Sequence, residues 1–548
     1  MDLLLDVNII LDLCTPRLQW YDQSKKAVDT CRKQGGRLWL YAGSVQTLEY
    51  TLRQALTEKF QTESPPLTRR QIALIARLTL SEFARDKNWL AALSREGNVF
   101  NADDPEEEQL ILALSRFAAG SIKLLTRDQR LLERKPEQTI SPENFCRLPY
   151  SASQINFIDL KAQQDAVRPK IEKNIHTVLQ HGRYILGPEV KELETRLCEY
   201  TGAQHCIGVS SGTDALLMPL MAWGIGPGDA VFTTPFTFIA TAEVIQILGA
   251  TPVFVDIDPQ TFNLNPSKLA LAIKAVQNND PTIHPLPNSA SKLKPKAIIP
   301  VDLFGQPADY DPIMALAAKY NLNVLADSAQ GFGSVYKGKK SGTLAHATTT
   351  SFFPAKPLGC YGDGGAIFTD NDELADILES IRVHGKGRDK YDNIRTGLNA
   401  RLHTMQAVIL LAKLDIFDNE LQAKRQLAGR YTDMLGEKAK HLTPPFVPQG
   451  LQSAWAQYSI LAENSEMRDN IQKSLKKAGI PTMVYYPKPL HMQTAFAGLE
   501  YSGKAFSVST TISERIFSLP MHSYLKIATI EKAADALTSV YKETDLVS

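Results

Sequence analysis

The chain has 548 residues and a formal net charge of +1, from 60 Lys and Arg against 59 Asp and Glu. Charged residues make up 22% and hydrophobic residues 44%, which excludes a chain disordered throughout, a collagen-like rod and a disulfide-stabilised miniprotein. So small a net charge argues against a protein that coats nucleic acid over its whole surface, and the length indicates roughly three to four domain-sized units.

The six cysteines are scattered without a Cys-x-x-Cys pair, which indicates free thiols in a reducing compartment. Asp2 and Asp6 stand where a signal peptide needs positive charge. No uninterrupted apolar run reaches the ~18 residues that a membrane span needs. We therefore expect a cytoplasmic protein with no membrane partner.

Residues 1–147 form the first predicted domain, and 148–154, which contains Pro and Ser and lacks periodicity, is the predicted linker. Apolar strands at 3–5 and 123–126 run directly into acidic residues. Carboxylates at the ends of elements can converge on a divalent ion, and oxygen-only ligands favour Mg²⁺ or Mn²⁺. For any single acid, helix capping or surface charge is the simpler interpretation. The candidate ligands are Asp6, Glu49, Glu107, Glu108 and Asp128.

The order of these elements resembles a PIN domain, the fold of small metal-dependent ribonucleases of toxin–antitoxin pairs. The resemblance implies an α/β/α domain whose acids surround one or two Mg²⁺ ions that activate a water to cut RNA. Either Glu107 or Glu108 would be the third ligand. The family more often has Asp at that position, and the longer Glu side chain would shift the metal.

From residue 155 onward, short β-rich runs alternate with amphipathic helical stretches, the pattern of an α/β fold with a mostly parallel sheet. A large domain is predicted at 155–414 and a smaller C-terminal domain at 415–548, which ends in a helix at 530–540. A helix is predicted at 189–200 and an exposed loop at 276–296. The predicted strands are 206–210, 230–234, 252–256, 297–301, 323–327, 349–353 and 365–369.

Three segments of this region carry chemistry. The turn 209–215 joins a strand to a helix, and its backbone amides and hydroxyls suit either a phosphate or a plain helix cap. Asp327 ends an apolar strand, where α/β folds bind ligands, although a strand-end Asp is often only a cap. Lys356 lies among apolar residues, where a lowered pKa would make its amine a nucleophile able to form a Schiff base; a lysine that extends to solvent is the alternative.

Together these three segments favour a site for pyridoxal phosphate (PLP). The turn would bind the phosphate, the carboxylate would keep the pyridine nitrogen protonated, and the lysine would hold the aldehyde. All three parts follow one another in this order on an α/β scaffold.

Residues from about 155 to 545 resemble the DegT/DnrJ/EryC1/StrS family of sugar aminotransferases, which are PLP enzymes of fold type I. The resemblance implies that fold, with a mostly parallel central sheet and a smaller C-terminal lobe. The matching stretches are GPEV at 187–190, SSGTDA at 210–215, PFTFIAT at 235–241, DSAQ at 327–330, SFFPAK at 351–356, GDGG at 362–365 and GLNARL at 397–402.

The resemblance also implies roles for single residues. Lys356 matches the Schiff-base lysine, which shuttles the proton of the reaction, and Asp327 matches the acid paired with the pyridine nitrogen. Gln330 matches the group near the ring hydroxyl, and Phe238 matches the aromatic that stacks on the ring. The phosphate cup is matched by Gly212, Thr213 and Ser351.

Two further residues match positions that the family shares between subunits. Asn399 matches an asparagine that reaches the phosphate of a neighbouring subunit, and Arg401 matches a position near the substrate across the same interface. A lone protomer would then lack a complete site, so the resemblance implies at least a homodimer.

The segments 353–365 and 485–491 look like the branch that moves an amino group from glutamate to a UDP-linked 3-keto-2-acetamido hexuronic acid for cell-surface polysaccharide. The basic residues Arg401, Lys488 and His491 would suit its carboxylate, and a solvated surface charge is the alternative for each. Members that dehydrate sugars replace the Schiff-base lysine with histidine, so Lys356 favours transamination. Two other functions stay open: a PIN-type ribonuclease with the aminotransferase domain as a scaffold, and a regulatory ligand-binding protein.

Overall fold

The computed structural model describes residues 2–5, 24, 26–27, 30, 38–41, 90–93, 122–125, 139–140, 155–288, 292–389, 391–439 and 441–544. The chain divides into two units, Met1–Gln154 and Ile155–Ser548. The predicted linker at 148–154 lies outside the described residues.

The N-terminal unit contains a five-stranded sheet in the order β3-β2-β1-β4-β5, in which every neighbouring pair is parallel. Both strands predicted in this region are present, at β1 and β4. The five acids predicted to bind metal lie outside the described residues. The strands are β1 (Asp2–Leu5), β2 (Leu38–Tyr41), β3 (Leu90–Leu93), β4 (Ile122–Leu125) and β5 (Thr139–Ile140).

The second unit is built on a seven-stranded mixed sheet in the order β6-β14-β13-β10-β9-β7-β8. Its pairs are parallel except at β14, which is antiparallel to both neighbours. The mostly parallel sheet is therefore confirmed, and each predicted strand is present, with some shifts at the ends. These strands are β6 (His205–Val209), β7 (Asp229–Thr233), β8 (Thr251–Phe254), β9 (Lys294–Ile299), β10 (Asn323–Asp327), β13 (Ala347–Ser351) and β14 (Gly365–Thr369).

Helices pack against this sheet through their apolar side chains. The predicted helix at 189–200 forms α2, which buries Val190, Leu193 and Leu197 and ends at Gly202 in the left-handed conformation (φ 83°). The helices up to the end of the sheet are α1 (Leu160–His181), α2 (Pro188–Thr201), α3 (Gly212–Ala222), α4 (Ala240–Ile247), α5 (Pro266–Asn278), α6 (Tyr310–Tyr320) and α7 (Asp372–Arg382).

The predicted exposed loop at 276–296 is wrong in part. Its first residues belong to α5 and its last to β9, while 289–291 lie outside the described residues. Within it, His284 is buried and its Nε2 donates a hydrogen bond of 2.8 Å to the carbonyl oxygen of Phe254. Leu286 packs against the core between α5 and the sheet. Local Pro and Asn content predicted exposure, but these contacts come from residues distant in sequence.

The C-terminal lobe packs long helices around the antiparallel pair β16 and β17. The helix predicted at 530–540 forms within α12. No helix in the described part of the chain is long and apolar enough to cross a membrane. The elements are α8 (Thr404–Leu414), α9 (Phe417–Lys438), α10 (Ser465–Lys477), α11 (Ser507–Arg515), α12 (Ile527–Thr544), β16 (Tyr458–Leu461) and β17 (Ile516–Leu519), with a small sheet of β11 (Val335–Tyr336), β12 (Lys339–Lys340) and β15 (Leu451–Gln452).

Candidate active site

Lys356 lies in the tight loop that joins β13 to β14. The loop is closed by a hydrogen bond of 2.8 Å from the backbone N–H of Phe352 to the carbonyl of Gly364, and the N–H of Lys356 donates to the carbonyl of Phe353 at 2.9 Å. A Cβ at position 359 would lie 2.5 Å from the carbonyl oxygen of Pro354, so the turn needs glycine there. The glycine-rich sequence thus determines a compact loop that holds the lysine at one place.

The surroundings of Lys356 destabilise its charged form. Burial lowers the pKa of the Lys356 amine, and the negative charge of Asp327 opposes this shift in part. An amine with a lowered pKa is a better nucleophile and a better proton acceptor at neutral pH. The structure therefore gives Lys356 the electrostatic setting that its sequence neighbours predicted.

Asp327 is the last residue of β10 and is only 5% exposed. Its Oδ2 accepts a hydrogen bond of 2.7 Å from Thr241 Oγ1, and its Oδ1 accepts one of 3.2 Å from the backbone N–H of Ala329. Burial raises the pKa of this carboxyl, while these two donors and the charge of Lys356 act in the opposite direction. A cation bound against this carboxylate would stabilise its ionised form.

Gln330 connects the end of β10 to the C-terminal lobe. Its Nε2 donates a hydrogen bond of 3.0 Å to the hydroxyl of Tyr486, and its Oε1 accepts one of 2.6 Å from the backbone N–H of Phe304. Burial raises the pKa of the Tyr486 hydroxyl, so this group stays protonated. Two fixed hydrogen bonds thus hold the Gln330 amide in one orientation beside the strand end.

The turn after β6 starts α3 and meets the end of β13. Ser211 is the N-cap of α3, and its Oγ accepts a hydrogen bond of 3.0 Å from the N–H of Asp214. A Cβ at Gly212 would lie 2.6 Å from the Cβ of Ser351. Gly212 and Ser351 are therefore direct neighbours, and half-buried Thr213 follows in the first turn of the helix. Backbone N–H groups at such a helix start suit a phosphate.

Three comparisons with known proteins agree with this geometry. Residues 165–538 match the DegT/DnrJ/EryC1/StrS aminotransferase family. The chain belongs to this family. The family is PLP-dependent, and its members share the α/β fold with a mixed central sheet described above.

Among curated relatives, a UDP-2-acetamido-2-deoxy-3-oxo-D-glucuronate aminotransferase from Pseudomonas aeruginosa is 48% identical over 385 residues, which are 70% of this chain and 100% of the relative. A crystal structure of a DegT/DnrJ/EryC1/StrS aminotransferase from Brucella abortus is 47% identical, with a TM-score of 0.66 over 70% of this chain and 98% of that one. NtdA from Bacillus subtilis, solved with bound PMP, is 26% identical with a TM-score of 0.63 over 80% and 98% of the two chains.

Three other residues predicted for this site, Phe238, Asn399 and Arg401, lie in two other segments: the turn before α4 and the segment after α7. Phe238 is 54% exposed in the turn that leads into α4. Asn399 is exposed, and Arg401 pairs through its backbone with Val209 at the end of β6. Asn399 itself pairs with Val383 after α7. Phe238 and Asn399 thus lie on the surface of the protomer.

His491 differs from its prediction as a basic group for a sugar carboxylate. It is 5% exposed, and its ring packs edge-on against Phe506 with centroids 5.0 Å apart. Burial lowers the pKa of His491 to about 4, so the imidazole is neutral at neutral pH. The structure places it in an aromatic cluster, whereas Lys488 is exposed as a surface charge.

Two groups in the site escaped the sequence analysis. Thr241 donates to Asp327 and Tyr486 accepts from Gln330. Thr241 lies in a stretch that carried the family resemblance, but nothing local marked its partner 86 residues away. Among the described residues, no group of three or more His, Cys, Asp or Glu side chains is arranged to hold a metal ion.

Proposed function

We propose that the chain is an aminotransferase that moves an amino group from glutamate to a UDP-linked 3-keto-2-acetamido hexuronic acid, in the biosynthesis of a cell-surface polysaccharide sugar. The observation that carries this proposal is the desolvated Lys356 beside the buried carboxylate of Asp327. The substrate is supported by the Pseudomonas aeruginosa relative, which this chain matches over that protein's full length at 48% identity.

The residues present fit PLP. The close approach of Gly212 and Ser351 leaves a cradle that a Cβ would fill, and buried Asp327 offers a negative charge to a cationic ring nitrogen. We assign the phosphate to Gly212, Thr213 and Ser351. When bound, PLP supplies a carbonyl that takes up the amino group and a ring that accepts electrons.

We also propose a role in the reaction for each side chain around the PLP site. Lys356 Nζ would take and return the proton at the reacting carbon, because burial keeps its pKa low. Asp327 would hold the ring nitrogen in its protonated form, and Thr241 would orient that carboxylate. Gln330 would direct its fixed amide to the ring hydroxyl, and the exposed face of Phe238 would cover the ring.

The proposed activity is tested by incubating the PLP-loaded protein with L-glutamate and a set of UDP- and dTDP-linked keto-sugars, followed by mass analysis of the products. Amination of the 3-keto hexuronate in preference to its uncharged counterpart supports the proposal. Amination of an uncharged or dTDP-linked sugar alone would overturn the substrate, and a protein that aminates none of them would overturn the activity.

The active site is proposed to be shared in a homodimer, with Asn399 and Arg401 reaching the partner's site. Both belong to a segment beside β6, and Asn399 is exposed in the protomer. Mixing inactive Lys356→Ala and Arg401→Ala proteins under subunit exchange should then restore about a quarter of the wild-type activity, because each mixed dimer keeps one native site. The measurement is the transamination rate against mixing ratio.

The matched control for this exchange is a mixture of Lys356→Ala with Asp327→Ala. Both changes affect the site of their own chain, so no mixed dimer has a native site and the mixture should stay inactive. Equal recovery in both mixtures, or no recovery in either after confirmed exchange, would contradict the shared site.

Gly212→Ala should weaken PLP binding and destabilise the fold by about 1–3 kcal/mol, because the added Cβ would lie 2.6 Å from that of Ser351. The measurements are PLP titration and denaturant unfolding. Gly429→Ala is the control, since Gly429 is exposed on α9 with no atom within 4 Å of the added Cβ. That change should leave PLP affinity unaltered and raise stability by up to about 1 kcal/mol. Similar PLP affinities in the two variants would contradict the phosphate assignment.

For the N-terminal unit, the resemblance to a PIN domain stays a prediction. The described strands of this unit form a parallel sheet, and the acids that would bind Mg²⁺ or Mn²⁺ lie outside the described residues. No observation on the described residues favours a ribonuclease or an RNA partner, so we assign no second activity.

A further inference from the structure

Lys356 and its loop neighbours at 354–357 line a pocket whose remaining walls come from other segments of the chain. The start of α1 contributes Gln163, the segment after β17 contributes 521–524, and α9 contributes Glu420 and Lys424. The lysine that defines the candidate active site thus shares a pocket with charged side chains of the C-terminal lobe.

Lys424 is the unusual member of this pocket. It is only 8% exposed, and it forms no hydrogen bond or ion pair with any residue that the structure describes. Burial lowers the pKa of its amine to about 8, although the charge of Glu420 one helical turn earlier raises it. A mostly buried ammonium without a partner is disfavoured, because burial weakens its hydration and no hydrogen bond offsets that loss.

Glu420 does not supply the missing partner, because its oxygens already bind other groups. Its Oε1 accepts hydrogen bonds from the hydroxyls of Tyr524 at 2.8 Å and Ser523 at 3.3 Å. Its Oε2 accepts one from Gln163 Nε2 at 2.8 Å. These three donors satisfy the carboxylate, which forms no ion pair with Lys424.

The other titratable side chains of the pocket form no ion pair with Lys424 either. Asp159 Oδ1 accepts a hydrogen bond of 2.9 Å from the N–H of Ala162 and caps α1. Burial lowers the pKa of His522, so that its ring is neutral at neutral pH. Apart from Lys356, Lys424 is the one Lys or Arg among the described lining residues, and neither lining carboxylate, Asp159 or Glu420, forms an ion pair with it.

We propose that this pocket binds the carboxylate of a reacting substrate and that Lys424 is its charge partner. The inference rests on the proposed function, in which the amino donor and the sugar acceptor both carry a carboxylate. A single free ammonium matches a group with one negative charge. A phosphate or diphosphate would bring more negative charge beside Glu420 than Lys424 compensates.

The first test measures equilibrium binding of two inert carboxylates to the PLP-loaded protein by calorimetry. Glutarate resembles the donor but has no amino group to transfer, and UDP-2-acetamido-2-deoxy-glucuronate resembles the acceptor but has no keto group. UDP-N-acetylglucosamine has the same nucleotide and ring without the carboxylate. Lys424→Met should weaken binding of at least one carboxylate by about 10- to 100-fold, as expected for a hydrogen bond to a charged group.

Two variants control this measurement. Lys424→Arg keeps the charge and should retain most of the affinity, which separates loss of charge from loss of packing. Lys473→Met removes an exposed lysine on α10 and changes the net charge equally, so it should bind all three probes like the wild type. Retained PLP absorbance in every variant establishes that the fold and the cofactor site are intact.

The outcomes separate the two sources of the carboxylate. Weakened glutarate binding alone assigns the pocket to the amino donor, and weakened uronate binding with unchanged UDP-N-acetylglucosamine binding assigns it to the sugar. Weakening of both means that the two substrates use the pocket in turn. Three results would each overturn the inference. The first is unchanged affinities in Lys424→Met, and the second is binding of UDP-N-acetylglucosamine weakened as much as that of the uronate, with glutarate binding unaffected. The third is a wild type that binds neither carboxylate.

Failure of this inference differs from failure of the proposed function. A wild type that aminates the keto-uronate while Lys424→Met binds both carboxylates normally keeps the function and loses the subsite. Carboxylate binding that depends on Lys424, in a protein that aminates no keto-sugar, keeps the subsite and loses the function.

Discussion

Lys356→Ala is expected to lower the transamination rate by at least about 10³-fold, because the variant loses both the amine that holds the cofactor and the group that moves the proton. The wild type should show a visible absorbance band with PLP and should keep the label on Lys356 after borohydride reduction. The variant should show neither property. The measurements are single-turnover rates with L-glutamate and peptide mass mapping of the reduced protein.

Two further variants make the Lys356 prediction specific. Lys356→Arg keeps a positive charge in the same loop but cannot exchange a proton near neutral pH, so it should be as inactive as the alanine variant. Lys339→Ala changes an exposed lysine on β12 and should react like the wild type. Substantial transamination by Lys356→Ala, or borohydride labelling at another lysine, would refute the assignment.

Asp327→Asn is expected to lower the rate by about 10²- to 10³-fold, the usual cost of losing one aimed charge in a buried site. Asparagine keeps the shape and can still accept the hydrogen bond from Thr241, so this change isolates the negative charge. PLP should remain bound, because Lys356 and the phosphate cradle are unaltered. Rates with saturating glutamate and the PLP absorbance spectrum test both expectations.

Thr241→Val offers a graded version of the same test. Burial raises the pKa of Asp327 and the Thr241 hydroxyl lowers it, so removing this hydroxyl should raise the pKa further. The ionised carboxylate is then lost at a higher pH, and the acidic limb of the kcat/KM profile should move to higher pH. Thr369→Val removes another buried hydroxyl, at the end of β14, which donates a hydrogen bond to the carbonyl of His346 rather than to Asp327. This control should leave the acidic limb of the kcat/KM profile unchanged. Identical profiles for all three proteins would contradict the role of Asp327.

Much of the fold was predictable because its strands are short apolar runs, bounded by residues such as Gly, Pro, Asn and Asp that end regular secondary structure. The strands predicted at 323–327 and 365–369 have the observed bounds of β10 and β14. The antiparallel direction of β14 was not predictable in this way, since it follows from a loop that folds Gly364 back onto Phe352. The burial of part of the segment 276–296 was not predictable either. It depends on the hydrogen bond from His284 to a carbonyl on β8, which lies far away in sequence.

The chain's own residue order determined the chemical parts of the candidate site: a glycine turn before a helix, an acid at a strand end and a lysine among apolar neighbours. Only the tertiary structure determined which of the basic side chains are charged and which have an ion-pair partner. His491 is buried in an aromatic cluster and is therefore neutral, and Lys424 is buried without an ion pair to any described residue, in the pocket that Lys356 also lines. The physical reason is that a side chain's charge and hydration depend on which distant segments surround it, and sequence spacing does not contain that information.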